Sequence, residues 1–302
     1  MIYVFVLTYN EQRIWWDSYP MEFVEEHFKA NNIKFVILDN GNQPLMEAWC
    51  RVNDMIYYSS EYNIGSAGGY NWIFKVARKM GLENAILMQA DVVMNNSFPL
   101  TITHRFTQHL GKTHFICWPQ QLYNFWKNTE SMTLYENNLE NLGNLVGFNP
   151  IEMYEKDCYF DDNYVVTHFD DLEFMNYLIT TKKFSHLNVP YMIGSTNQYY
   201  SNDIISGVDL GTFNIADEKF HLKIHHASIH IDHQVNNIDN SHKKWHDFNK
   251  PYYDQVLKPG MVIERLPYDP SRWTQFGYPP YPTQHEIDRF FVQYPELLVI
   301  QD

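Results

Sequence analysis

Cysteine is scarce in this 302-residue chain: there are 3, at Cys50, Cys117 and Cys158. They form no C-x-x-C pair and no even-numbered framework, which fits a reducing compartment and leaves no thiol-based zinc module. Basic residues are in the minority, 22 Lys and Arg against 36 Asp and Glu, for a formal charge of −14. Such a balance argues against broad, nonspecific binding to nucleic acid or anionic lipid, which needs positive surface. The small clusters Lys182-Lys183 and His242-Lys243-Lys244 are accounted for as solvated surface. A run of about 18 apolar residues, the length needed to span a bilayer, is also missing. The opening "MIYVFVLTYNE" is apolar but short and lacks a basic leader, so it predicts a buried first strand and a cytoplasmic protein. Internal repeats and low-complexity linkers are absent too. Aromatics, by contrast, are abundant at 17%, with 22 Tyr, 20 Phe and 8 Trp. Most belong in the core, but some are expected to line a pocket, because ring faces suit sugars and bases.

The first third of the chain alternates strand and helix patterns. Residues 2–9, 34–38, 55–60 and 84–90 are short runs rich in β-branched and aromatic residues. Between them lie helix-like stretches at 20–32, 44–53 and 66–79, the first opening on Pro20 and the last on Ser66 as a cap. This spacing predicts βαβ units and an α/β fold with a mostly parallel, doubly wound sheet. The alternation weakens beyond residue 118. Residues 119–163 show little periodicity and suggest an insertion or acceptor-side loops, and 195–218 look loop-rich. A helix is expected over 168–179, partial strand character with five histidines over 219–233, and an extended Pro/aromatic stretch at 266–284 before a short helix.

Residues 61–72, "EYNIGSAGGYNW", hold three of only 13 glycines. Gly65, Gly68 and Gly69 do not space as the G-x-G-x-x-G dinucleotide fingerprint, and no Gly-Lys-Ser/Thr follows to make a P-loop. What lies nearby matters more. In an open parallel sheet, ligands bind outside the carboxyl ends of the strands. Four polar features fall at those ends: Thr8-Tyr9-Asn10-Glu11, Asp39-Asn40, Asn63 with the glycine loop, and Asp91. Each alone is ordinary turn chemistry, and Asp39 in "DNGN" is as good a turn-former as a ligand contact. Their convergence on one rim is the informative feature.

In combination, "FVLTYNE", "ILDNGN", "NIGSAGGYNW" and "ILMQADVVM" resemble the GT-A fold glycosyltransferases, specifically the family 2 group that includes rhamnosyl- and galactofuranosyl-transferases. The resemblance covers residues 1–95 well and reaches 168–180 less securely. It implies a GT-A type, Rossmann-like fold: a mostly parallel central sheet flanked by helices, with an irregular C-terminal acceptor-side region. Residues 1–118 would form the donor-binding half, 119–265 the acceptor-binding and catalytic half, and 266–302 a tail. The implied activity is transfer of a hexosyl or pentosyl group from a nucleoside-diphosphate sugar to a hydroxyl. Thr8, Tyr9, Asn10, Asp39, Asn63, Gly65, Gly68, Gly69, Asn71 and Gln89 would contact the donor, the glycines approaching its diphosphate. Asp91 would bind a divalent cation, Mn²⁺ or Mg²⁺. Here the chain departs from the family's D-x-D, for Gln89-Ala90-Asp91 keeps one carboxylate of the two.

The same resemblance makes Asp171 the base of an inverting displacement, with Asp170 positioning the acceptor or the helix. A second explanation stands beside it, since carboxylates in a first helical turn also complement the helix dipole. Family members often close the metal site with a downstream histidine, for which His226 and His230 are the candidates. The acceptor is expected to be soluble, either a glycan or a hydroxymethylated base in phage DNA, and oligomer contacts are allowed. An inert nucleotide-sugar-binding module is a further alternative. A pyrophosphorylase is disfavoured because its G-G-x-G-T-R-L loop is missing.

Overall fold

The computed structural model describes residues 1–9, 15, 19–90, 92–94, 115–117, 145–182, 205–215, 218–227 and 239–300. Four parallel strands form its centre: Ile2–Thr8 (β1), Ile33–Asp39 (β2), Ile56–Ser59 (β3) and Ala85–Gln89 (β4). Apolar runs such as "IKFVILD" are buried on both faces, as parallel strands covered by helices must be. Val92–Met94 (β5) follows β4 but leaves this sheet. Phe115–Cys117 (β6) and Leu145–Phe148 (β7) complete it with antiparallel pairing, giving the order β3-β2-β1-β4-β7-β6. This is a doubly wound, Rossmann-like α/β arrangement.

One face is covered by Met21–Phe23 (α1), which continues through a π-helical Val24–Phe28 and a 3-10 turn Lys29–Asn31, and by Pro44–Val52 (α2). Beneath them Trp15, Tyr19, Phe28, Phe35 and Trp49 pack edge-to-face, with centroids 4.8–5.4 Å apart. Much of the aromatic excess is therefore core. Gly65–Lys79 (α3) runs along the other face and is buried almost all round, the pattern of a helix enclosed on several sides. Its Trp72 meets Phe290 of the helix Pro282–Gln293, and its Phe74 meets Phe148 of β7.

In chain order the remaining elements are Pro150–Glu155 (α4), Asp170–Asn176 (α5) with its π-helical extension Tyr177–Thr181, Ile205–Ile215 (β8), Glu218–Ala227 (β9) and Asp239–Val256 (α6). A small hairpin of Leu257–Lys258 (β10) and Val262–Ile263 (β11) follows, then Ser271–Thr274 (α7) and Pro282–Gln293 (α8). Strands β5, β9 and β8 form a second, antiparallel sheet. Two expectations are corrected here. Residues 205–215 are a strand, paired with β9 on either side of an irregularity between Asp209 and Thr212, where a loop was expected. Ser66 lies inside α3 and does not cap it; Asn63 does the local work, its Oδ1 accepting the Gly65 amide at 3.0 Å. Among the described residues no helix is long and apolar enough to cross a membrane.

Candidate functional site

The carboxyl ends of β1, β2 and β3 are bound to one another by polar groups. The Asn40 amide donates to the Thr8 carbonyl at 3.0 Å, and the Ser60 amide to the Asp39 carbonyl at 3.0 Å. The Asn40 side chain then reaches the Gly65 carbonyl at 3.2 Å, joining the β2 turn to the start of α3. Thr8 is buried, while Tyr9 is 40% exposed and lays its ring over Gly41. Asp39 is wholly buried. Its carboxylate accepts from the amides of Gly41 and Gln43, from Gln43 Nε2 and from the Tyr57 hydroxyl, at 2.6–2.9 Å. Four donors fill the acceptor sites a carboxylate offers, so Asp39 organises the turn from inside the protein. Burial, and then the bond to Asp39, push the Tyr57 phenol well up from its ordinary value.

Protein, not open space, fills the room left by the three glycines. Gly65 has φ +70°, and a Cβ there would fall 1.8 Å from the Val166 carbonyl oxygen. A Cβ on Gly69 would lie 2.6 Å from Leu7 of β1, and one on Gly68 would lie 3.0 Å from Thr283 of α8. These glycines let α3 approach the sheet, α8 and the 166 backbone. Asn71 likewise turns inward: fully buried, it exchanges two hydrogen bonds with the Phe160 backbone, at 2.8 and 2.9 Å, and donates to Asp162 at 2.7 Å. The close packing around all three is therefore a role these glycines hold within the protein itself.

The acidic pair sits beside that helix start. Asp170 is buried, and its Oδ2 accepts from Ser66 Oγ at 2.5 Å across 104 residues of sequence. Ser66 also donates its amide to the Val166 carbonyl at 2.7 Å. Asp170 and Asp171 are the first two residues of α5, and the Asp170 carboxylate meets Ser66 at the start of α3. Gln89 ends β4, paired with Leu7 of β1, on the same rim.

Asn10, Asp91 and His230 lie outside the described residues. The backbone of His226, on β9, stands in register with Val92 on β5. A carboxylate and an imidazole are a donor set that suits Mn²⁺ or Mg²⁺ only loosely, the harder cation preferring oxygen. Among the described residues no group of three metal-ligating side chains is assembled.

Two buried carboxylates tie together elements that lie far apart in sequence. Glu173 on α5 is fully buried and takes Arg265 in a bidentate pair, 2.8 Å to Nε and 2.9 Å to Nη2. Burial pushes the Glu173 carboxyl up to about 7, and the Arg265 charge pulls against that rise. Glu286 on α8, also fully buried, accepts the Tyr58 hydroxyl at 2.5 Å and the amides of Glu61 and Tyr62, each at 3.0 Å. It thereby holds the loop that leads into Asn63 and α3. Only their long-range partners reveal their importance, and those partners lie 92 and more than 220 residues away.

No family model matches the chain, and no curated protein matches it in sequence. Among solved structures it is similar to the mannosyltransferase PcManGT from Pyrobaculum calidifontis in complex with GDP-Man and Mn²⁺, at 15% identity and TM-score 0.45, over 66% of this chain and 58% of that one. It is also similar to residues 1–349 of S. aureus TarS, at 14% identity and TM-score 0.42, over 58% and 54%. A third is GalNAc-T7 with UDP, GalNAc and Mn²⁺, at 12% identity and TM-score 0.42, over 63% and 42%. The chain thus spans little more than half the length of the first two and less than half of the third. These neighbours are nucleotide-sugar glycosyltransferases of the GT-A type.

Proposed function

We propose that the chain transfers a sugar, with inversion, from a nucleoside-diphosphate sugar to a hydroxyl acceptor. The observation that carries this reading is the Ser66–Asp170 contact, which joins the start of α3 to the acidic pair on the carboxyl rim of the sheet. Residues 1–118 bind the donor: Tyr9 and Asn10 edge the nucleoside, Gln89 meets the ribose, and Asn63 faces the diphosphate. Thr8, Asp39, Asn71 and the glycines act one layer back by holding those groups in place. Residues 119–265 take the acceptor, and the tail from 266 braces both halves.

In the proposed step the acceptor oxygen attacks the anomeric carbon while Asp171 takes its proton. The bond from that carbon to the diphosphate oxygen breaks on the opposite face, and the electron pair leaves with the nucleoside diphosphate. A general base of this kind contributes roughly 10²–10⁴ in rate. Asp91 and His226 would hold a divalent cation, whose charge offsets that of the leaving diphosphate. Asp170, held by Ser66, sets the start of α5 and so the position of Asp171.

A thermal-shift panel of UDP, GDP, CDP and dTDP, each with and without Mn²⁺, tests the donor site. One nucleotide at about a hundred times its dissociation constant should stabilise the protein by roughly 2.7 kcal/mol. The metal-dependent part of that shift should vanish in Asp91→Ala. No shift with any of the four would remove the donor site.

A further inference from the structure

The segment 165–169 runs across the start of α3 and ends at Asp170, and its backbone is unusual. Among the described residues seven non-glycine residues have left-handed φ; four are Asn or Asp, which tolerate that region, and the other three, Val166, His168 and Phe169, all lie in this strap. Their φ values are 63°, 79° and 67°. A β-branched and an aromatic residue hold such a conformation only where the surroundings over-determine it, and such outliers gather at functional sites.

One side chain makes three hydrogen bonds to the strap backbone, beside the stacking of Phe169 on Tyr253. Asn249 of α6 is fully buried. Its Nδ2 donates to the carbonyls of Val165, at 2.9 Å, and Thr167, at 2.6 Å, and its Oδ1 accepts the Val165 amide at 3.2 Å. Arg272 of α7 donates to the same Oδ1 at 3.2 Å and to the Asn163 carbonyl at 2.7 Å. On its far side the strap is held by α3, through the Ser66 amide on the Val166 carbonyl. One face is therefore fixed by Asn249 and the other by the glycine helix, with Asp170 and Asp171 following directly.

We infer that Asn249 is a positioning residue for the acidic pair: it locks the strained strap so that Asp170 meets Ser66 and Asp171 is presented to the acceptor. This rests on the proposed sugar transfer. It assigns to α6, some 80 residues downstream, a part in that chemistry which no motif marks.

Asn249→Ala, Asn249→Ser and the milder Arg272→Lys test it, with Ile287→Val as a control that trims one methyl from the buried face of α8. Hydrogen exchange over 163–170 reports strap order, and nucleoside-diphosphate affinity is measured beside transfer rate. We expect exchange in the strap at least tenfold faster and kcat at least tenfold lower in the Asn249 variants, with nucleotide affinity changed less than twofold. Arg272→Lys should give a smaller change of the same kind, so that the question is answered even where Asn249→Ala does not fold. Ile287→Val should move none of the three readouts. Unchanged exchange in the strap overturns the proposal, as does faster exchange with undiminished kcat, or a loss of affinity equal to the loss of rate. A wild-type protein without turnover would instead remove the sugar-transfer reading on which the inference rests. That result differs from a loss confined to the variants.

Discussion

Arg265→Ala should lower stability by about 3–5 kcal/mol, the usual effect of removing one partner from a buried ion pair. Glu173 would keep its fully buried position but lose both guanidinium bonds, and the Tyr159 carbonyl would lose the Arg265 Nη1 donor at 2.6 Å. Arg265 also lies over the Tyr177 ring, 3.6 Å from its centroid, so packing is lost along with charge. The pH dependence has a definite sign. Burial already holds the Glu173 carboxyl at about 7 against its ordinary 4.5. Without Arg265 it rises further, so the folded variant binds a proton that the unfolded chain releases. Stability of the variant therefore falls as pH rises above about 4.5, and the deficit against wild type is larger at pH 8 than at pH 5.5. Urea midpoints at the two pH values measure this. A deficit independent of pH, or below about 1 kcal/mol, would show that Glu173 does not depend on Arg265.

Gly65→Ala should cost about 3 kcal/mol or more. A non-glycine residue in the left-handed region loses roughly 1–2 kcal/mol, and forcing a methyl into filled space adds about 1–3 kcal/mol. Here the obstruction is backbone, the Val166 carbonyl 1.8 Å from the new carbon, so a change of side-chain rotamer cannot relieve it. The strap must move, and with it the Ser66–Val166 and Ser66–Asp170 bonds. Gly69→Ala meets only the flexible end of Leu7 and should be milder. The order of the two denaturation midpoints checks this. Equal losses would mean that the strap yields as easily as a leucine.

The central strands were legible because each is a short apolar run ended by polar residues, and a parallel sheet buried on both faces leaves that signature. The glycine helix was legible for a related reason, since three glycines near one helix start demand a close approach. What approaches was not legible. Val166, Leu7 and Thr283 lie far along the chain from their glycines, and the ligand suggested by resemblance was the nearer explanation. Asp39 and Asn71 repeat the lesson: both stand where the motif puts them, yet their polar atoms turn into the protein. Strand β7 was hidden inside a stretch without periodicity, because four residues paired in the middle of a sheet need no alternation. Helix α6 was missed because "DNSHKKWHDFNKPYYDQV" is polar and contains Pro251, so only its buried Trp245, Asn249, Tyr252, Tyr253 and Val256 tie it to the core.

The central claim is sugar transfer, and the most direct test is donor turnover. The protein would be incubated with UDP-, GDP-, CDP- and dTDP-sugars and Mn²⁺, with soluble glycans or hydroxymethylated DNA as acceptors, and release of nucleoside diphosphate quantified. Acceptor-dependent release from one nucleotide class is expected, reduced by roughly 10²–10⁴ in Asp171→Asn, as the loss of a general base requires. Folded wild-type protein that consumes none of these donors, or an Asp171→Asn variant as fast as wild type, would contradict it.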